Sequence, residues 1–589
     1  MPRPLIFALT GVLITACAGT APVEQTPETA APASAVESLP APEVPERPFP
    51  EDSVYPLLVA EFALRRREYG VALDNYMVQS RLLRDAGVSA HTTHLTQFMR
   101  REREALEASQ LWVELEPDNL EARNTLAALL IRESRPLEAL PHMAQVQRLG
   151  GEARFPALLS NFEELDDQQR AELVQGINTL AAEWPDNVQL LLTQALILAE
   201  FNQLPQSLEK LDKLYSIEPY QHQALLLEVR VLITLEDPKP FARLERALEV
   251  NPDDQQLRLQ YARILTSTDM TAARKQFEIL SAQSPRDGDL LLSLALINRE
   301  IGDDLAAKAY LRQLLALQQR MNEAHYYLGR IAEDEGDLEG ALYQYGQVEG
   351  QAEFLSAASR SGQILIKKGE LRQVSTTFDE KRQRNPDQAE PLYSLEADLF
   401  TQAGEMKLAM AALNRALDTY PESDNLLYAR SMLAEQQGDL KMMEADLRSI
   451  IQRDPENATA LNALGYTLAN RTDRYSEAYD LIARALELQP NEPAILDSMG
   501  WVLYRKGKYQ EALNYLTRAY ADFPDPEVAA HLGEVLWVSG DTEAATTIWQ
   551  GALMKAPEHE VLLDTLQRLG VEDLGGNPAP LPPAGQPEE

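Results

Sequence analysis

His91 and His94 are the only two of the chain's seven histidines that lie close together in sequence. On a helix, residues at i and i+3 share a face, so the pair could offer two imidazoles to a metal ion. A zinc centre needs further ligands, and no Glu-containing zinc motif accompanies the pair. Two surface histidines is the plainer reading. Nucleophiles are no easier to find. The sequence holds no Gly-x-Ser-x-Gly elbow, no phosphate-binding Gly-x4-Gly-Lys-Ser/Thr loop and no Gly-x-Gly-x-x-Gly fingerprint. Carboxylate pairs such as Asp166-Asp167 and Asp303-Asp304 read as solvated faces or helix caps in so acidic a chain. No catalytic set, no metal and no cofactor is expected, and the chain is not expected to be an enzyme.

Charge narrows the partners. The 589 residues carry 91 Asp and Glu against 54 Lys and Arg, a net charge of −37. Such a surface repels nucleic acid and anionic headgroups and favours basic or neutral proteins. The lone cysteine, Cys17, follows an Arg3-bearing start and an apolar run from Leu5 to Ile14. At about ten residues that run is too short to span a bilayer. Ile14-Thr15-Ala16-Cys17 resembles a bacterial lipobox. The resemblance implies removal of residues 1–16, acylation of Cys17 and anchorage by several acyl chains where one would be marginal. Ala18 follows where an Asp would favour the inner membrane, so the implied location is the outer membrane, facing the periplasm. The alternative is a cleaved secretory signal in which Cys17 is incidental. With a single cysteine there is no intrachain disulfide.

The elements that must carry any function lie beyond this segment. Between Ala18 and Pro50, eight prolines fall in 33 residues among Ala, Glu, Ser and Thr; residues 17–51 are expected to be a disordered tether. A second Pro-rich stretch occupies 575–589. Between them a period is visible. Prolines at 185, 219, 252 and 285, then at 386, 421, 455, 490, 524 and 557, are separated by 33–35 residues, and the intervening gap of 101 is three such steps. A fixed period of about 34 marks stacked helix pairs. The expected organisation is irregular helical repeats over 52–184, regular repeats over 185–557 and a capping helix within 558–574. Stretch 141–184 keeps the length of a unit but loses its small residues, so a distorted or long-helix unit is expected there.

The residues within the period resemble the tetratricopeptide repeat. Gly465, Gly500 and Gly533 supply the small position of a first helix. Ala478, Ala512 and Ala545 open the second, and Ile482, Leu516 and Trp549 follow four residues later. The small residues fit two helices crossing closely, and Gly507 and Gly540 suit the turn between them. The resemblance implies an all-α fold, a tetratricopeptide-repeat solenoid wound as a right-handed superhelix of antiparallel helix pairs. On its concave face the pattern projects Tyr466, Asp497, Trp501, Tyr504, Arg505, Glu534 and Trp537. Of these, Tyr466, Trp501, Tyr504, Arg505 and Trp537 are the candidate partner-binding groove, since amphipathic aromatics often anchor interfaces. Packing between neighbouring helices is the alternative for Tyr466 and Trp501.

Lipobox, Pro-rich tether and about thirteen repeats together resemble the outer-membrane lipoprotein adaptors of periplasmic carboxyl-terminal processing proteases. That likeness implies a scaffold binding the protease and its murein hydrolase substrates, the enzymes that cut peptidoglycan cross-links, and promoting their degradation. It implies outer-membrane lipid as the partner of acylated Cys17 and no nucleic acid, and it leaves self-association open. The rival expectation is an assembly lipoprotein for secretin, pilus or exopolysaccharide export machinery.

Overall fold

A computed structural model describes residues 50–350 and 352–571. Cys17 and the segment before it, the tether up to residue 49 and the tail from 575 lie outside these residues. The described chain forms thirty α-helices and three short 3-10 segments, with no strand among them. It divides into two compact units, one ending at Gln276 and the other beginning at Phe277.

Helix boundaries follow from a three-residue device. Proline halts one helix, and the residue two positions on caps the next. Pro117 precedes Asn119, whose Oδ1 accepts from the Ala122 amide at 3.0 Å. Pro185 precedes Asn187, which accepts from Leu190 at 3.0 Å. Pro252 and Asp254, Pro285 and Asp287, Pro421 and Ser423, and Pro455 and Asn457 repeat the arrangement. The proline period is thus the spacing of helix starts.

The turn inside most pairs takes a left-handed backbone. In the second unit glycine supplies it: Gly507 sits at φ 78° and Gly540 at φ 98°. In the first unit the same register is held by Arg67, Arg100, Ser134, Asn202 and Glu236, at φ between 54° and 63°. Glu236 closes the same pair of backbone bonds, with its amide to Ile233 O and the next amide to Leu232 O. Glycine is absent there although the geometry is unchanged.

The two helices of a pair bury different amounts. Helix Pro493–Arg505 buries nine residues, whereas its partner Tyr509–Asp522 buries Ala512, Leu516 and Ala519. In the second unit first helices are therefore the inner layer and second helices the outer. The expected close crossing is present: a Cβ on Gly500 would stand 2.5 Å from Leu516 Cγ and 3.1 Å from Ala512 O, and one on Gly465 would stand 2.6 Å from Ile482. Stretch 141–184 departs from the pattern with two 3-10 segments, Phe155–Leu159 and Phe162–Glu164, followed by the 17-residue helix Asp167–Glu183. Phe155 and Leu158 fill the core in place of small residues. The second unit closes on helix Glu560–Arg568.

Candidate functional site

In the second unit, five successive first helices line a groove of about 2180 Å³: Asp424–Gln436, Ala458–Arg471, Pro493–Arg505, Pro526–Val538 and Glu560–Arg568. Residues one repeat apart stand side by side on this inner layer, so Met432, Tyr466, Trp501, Glu534 and Arg568, spaced by 33–35 positions, form one continuous row of its lining.

Tyr466, Trp501, Tyr504 and Arg505 all line the groove, as do Asp497 and Glu534. Trp537 does not. Its ring lies 5.6 Å from Trp549, with which it packs at the end of the unit. Trp549 occupies the position held by Ile482 and Leu516 in the preceding repeats, and its ring gives Trp537 a packing partner that those repeats lack.

A residue that sequence reasoning passed over sits at the centre. His531 is buried, with Nδ1 2.9 Å from Asp497 Oδ2 and Nε2 3.4 Å from the Tyr466 hydroxyl. Tyr466 in turn donates to Glu527 Oε1 at 2.6 Å. Trp501 stacks on the imidazole, with centroids 4.1 Å apart and planes 25° apart. Burial works to lower the His531 pKa, but the Asp497 carboxylate, with Glu527 and Glu534 beyond it, outweighs burial and raises it. The charged imidazole then donates from Nδ1 to Asp497 and from Nε2 to the Tyr466 oxygen. Burial first, and the Glu527 carboxylate second, push the Tyr466 hydroxyl up, so it stays a donor. With both ring nitrogens engaged and one face covered by Trp501, the histidine holds a proton in place and has no nitrogen to offer a substrate.

A second cluster lies beside it. The buried Glu534 carboxylate accepts from Tyr504 at 2.9 Å and from both terminal nitrogens of Arg568 at 2.8 and 2.5 Å. Arg505 donates to the Tyr475 hydroxyl at 2.7 Å and lies over that ring. Nine acidic side chains line the groove against three arginines. Arg568 is taken by Glu534 and Arg471 by Glu435, at 2.8 Å, so the open surface is acidic. Two buried polar atoms of residues in the lining, Trp501 Nε1 and Asn462 Oδ1, have no hydrogen-bond partner among the described residues.

His91 and His94 stand apart from all this. His91 packs 4.7 Å from the Tyr76 ring, and His94 Nε2 lies 3.2 Å from Glu121 Oε1. Among the described residues no three His, Cys, Asp or Glu side chains cluster as metal ligands, and no helix is long and apolar enough to cross a membrane.

Residues 304–353, 456–525 and 498–557 match tetratricopeptide-repeat families. The TPR repeat-containing protein PA4667 of Pseudomonas aeruginosa is 41% identical over 518 residues, covering 88% of this chain and 86% of that protein. The chain belongs to the tetratricopeptide-repeat family. Tetratricopeptide-repeat chains are protein-interaction scaffolds, and the groove is the inner face of such a scaffold. The type IV pilus assembly protein PilF of Pseudomonas aeruginosa is 24% identical over 160 residues, covering 27% of this chain and 63% of PilF. Among solved structures, a thermophilic tetratricopeptide-repeat protein of Thermus thermophilus aligns at TM-score 0.29 with 20% identity, covering 31% of this chain and 100% of that one. The Cut9–Hcn1 hetero-tetramer aligns at TM-score 0.31 with 15% identity, covering 88% and 96%.

Proposed function

We propose that this chain is a lipid-anchored scaffold of the outer membrane, facing the periplasm. It would hold a carboxyl-terminal processing protease beside its substrates, peptidoglycan cross-link hydrolases, and cleave nothing itself. The groove is the observation that carries the reading: an acidic, aromatic-floored channel suits an extended segment bearing Lys or Arg. The membrane anchor rests on Ile14–Cys17, and the named partners rest on the likeness to lipoprotein adaptors. Bringing enzyme and substrate onto one chain makes their encounter nearly intramolecular and raises its rate without any catalytic group.

Purified chain with Cys17→Ser should accelerate hydrolase degradation by the protease and degrade nothing without it. Trp501→Ala should weaken substrate capture. Proteolysis by the chain alone, or protease rates indifferent to it, would end the proposal. The likeness to PilF favours a second reading, a support for pilus or other export assembly. Crosslinking pull-down separates the two: protease and hydrolases on one side, a secretin or pilus subunit on the other.

A further inference from the structure

The first helix, Glu51–Arg65, buries Ser53, Ala60 and Ala63 on its inward face. Its outward face is apolar as well. Tyr55 is 76% exposed, Leu58 51% and Phe62 58%, with Val54 beside them. With Glu51 and Arg65 these form a line at steps of four, three, four and three residues, the spacing of a coiled-coil seam. The helix is about 22 Å long, enough for a short two-helix contact. Terminal repeats of such arrays normally turn a polar face outward. The first helix lacks that protection.

The ends of the seam carry opposite charges. Glu51 and Asp52 stand in the first turn and Arg65 in the last, and among the described residues neither Glu51 nor Arg65 is held in an ion pair. We infer that this face pairs with the same face of a second copy of the chain, antiparallel, about a twofold axis at Leu58. Such an axis sets Glu51 opposite the partner's Arg65 at both ends, Val54 opposite the partner's Phe62, and Leu58 against its own equivalent. A parallel arrangement would put like charges together at each end, so charge selects the antiparallel one. One helix pair buries less than the roughly 800 Å² per partner of a standard interface, so the dimer belongs with the weak, concentration-dependent ones.

The test uses the full chain carrying Cys17→Ser. Leu58→Cys on that background should give a disulfide-linked dimer under mild oxidation at tens of micromolar chain, on the order expected for such an interface. Leu82→Cys, 68% exposed in the wild type on the second helix, should not. In sedimentation, Phe62→Glu should abolish the dimer. Glu51→Arg should weaken it by about three- to fivefold, from two lost charge pairs, and Glu51→Arg with Arg65→Glu should restore it. The inference is overturned if the chain stays monomeric, if Leu58→Cys crosslinks no faster than Leu82→Cys, or if the paired exchange fails to rescue. None of these readouts depends on the groove or on the protease.

Discussion

The His531 imidazole and the Asp497 carboxylate, 34 residues apart and both buried, meet at 2.9 Å. Because the His531 pKa is raised in the folded chain, the charge pair contributes stability fully below the ordinary histidine value near 6.5 and loses it as pH rises through the folded value. Tyr466, Glu527 and Glu534 also face the ring and sharpen the effect. Asp497→Asn should therefore cost about 2 kcal/mol at pH 6 and less once the imidazole has discharged. Urea unfolding followed by tryptophan fluorescence at pH 6 and pH 9 measures the difference, and an equal loss at both would contradict the assignment.

Two glycines should respond in opposite directions to the same substitution. Gly500→Ala drives a methyl group into Leu516 and the Ala512 carbonyl and should destabilise by about 1–3 kcal/mol. Gly551 lies within helix Thr542–Lys555, and a methyl group added there would meet nothing within 4 Å. Gly551→Ala should stabilise by about 0.5–1 kcal/mol. Melting temperatures of the two variants settle the signs.

Glu236 holds φ 55° at a turn where the second unit uses glycine. A left-handed side chain costs about 1–2 kcal/mol, and glycine returns about half of the relief through a freer unfolded chain. Glu236→Gly should raise stability by about 0.5–1 kcal/mol, read as an upward shift in the urea midpoint of the first unit.

Lys381 is buried over the Phe354 ring, with Nζ 3.3 Å from Tyr345 O. Burial, aided by Arg384 and opposed by Glu349, brings its pKa down to about 8. The folded chain releases this proton before the unfolded chain does, so between about pH 8 and the ordinary lysine value near 10.4 stability rises with pH. Lys381→Met should stabilise by about 1–2 kcal/mol at pH 7, and the gain should shrink toward pH 10. A gain independent of pH would show that the ammonium is not strained.

Much of this architecture was legible because it is periodic. The prolines marked helix starts, and the Gly465, Gly500 and Gly533 positions marked crossings that the structure realises at van der Waals limits. The first unit was harder to read because Arg67, Ser134, Asn202 and Glu236 occupy turns that advertise themselves only when glycine fills them. Trp537 falls outside the groove lining and packs beside Trp549, a contact that the repeat pattern does not carry. His531 was overlooked as an isolated histidine, yet its separation from Asp497 equals the period, and the same rule would have paired Arg568 with Glu534. Opposite charges one period apart are the signal to seek in such chains.

The Tyr466 hydroxyl reaches Glu527 across 61 residues, passing over an intervening helix pair. A stack whose members touch only their neighbours peels from its free end one member at a time. Here a strut bridges two steps, and Asp497 fastens the middle one to it through His531. The last three pairs are thereby coupled beyond nearest neighbours, so this end of the stack should fray more cooperatively than one whose members are tied only to the next.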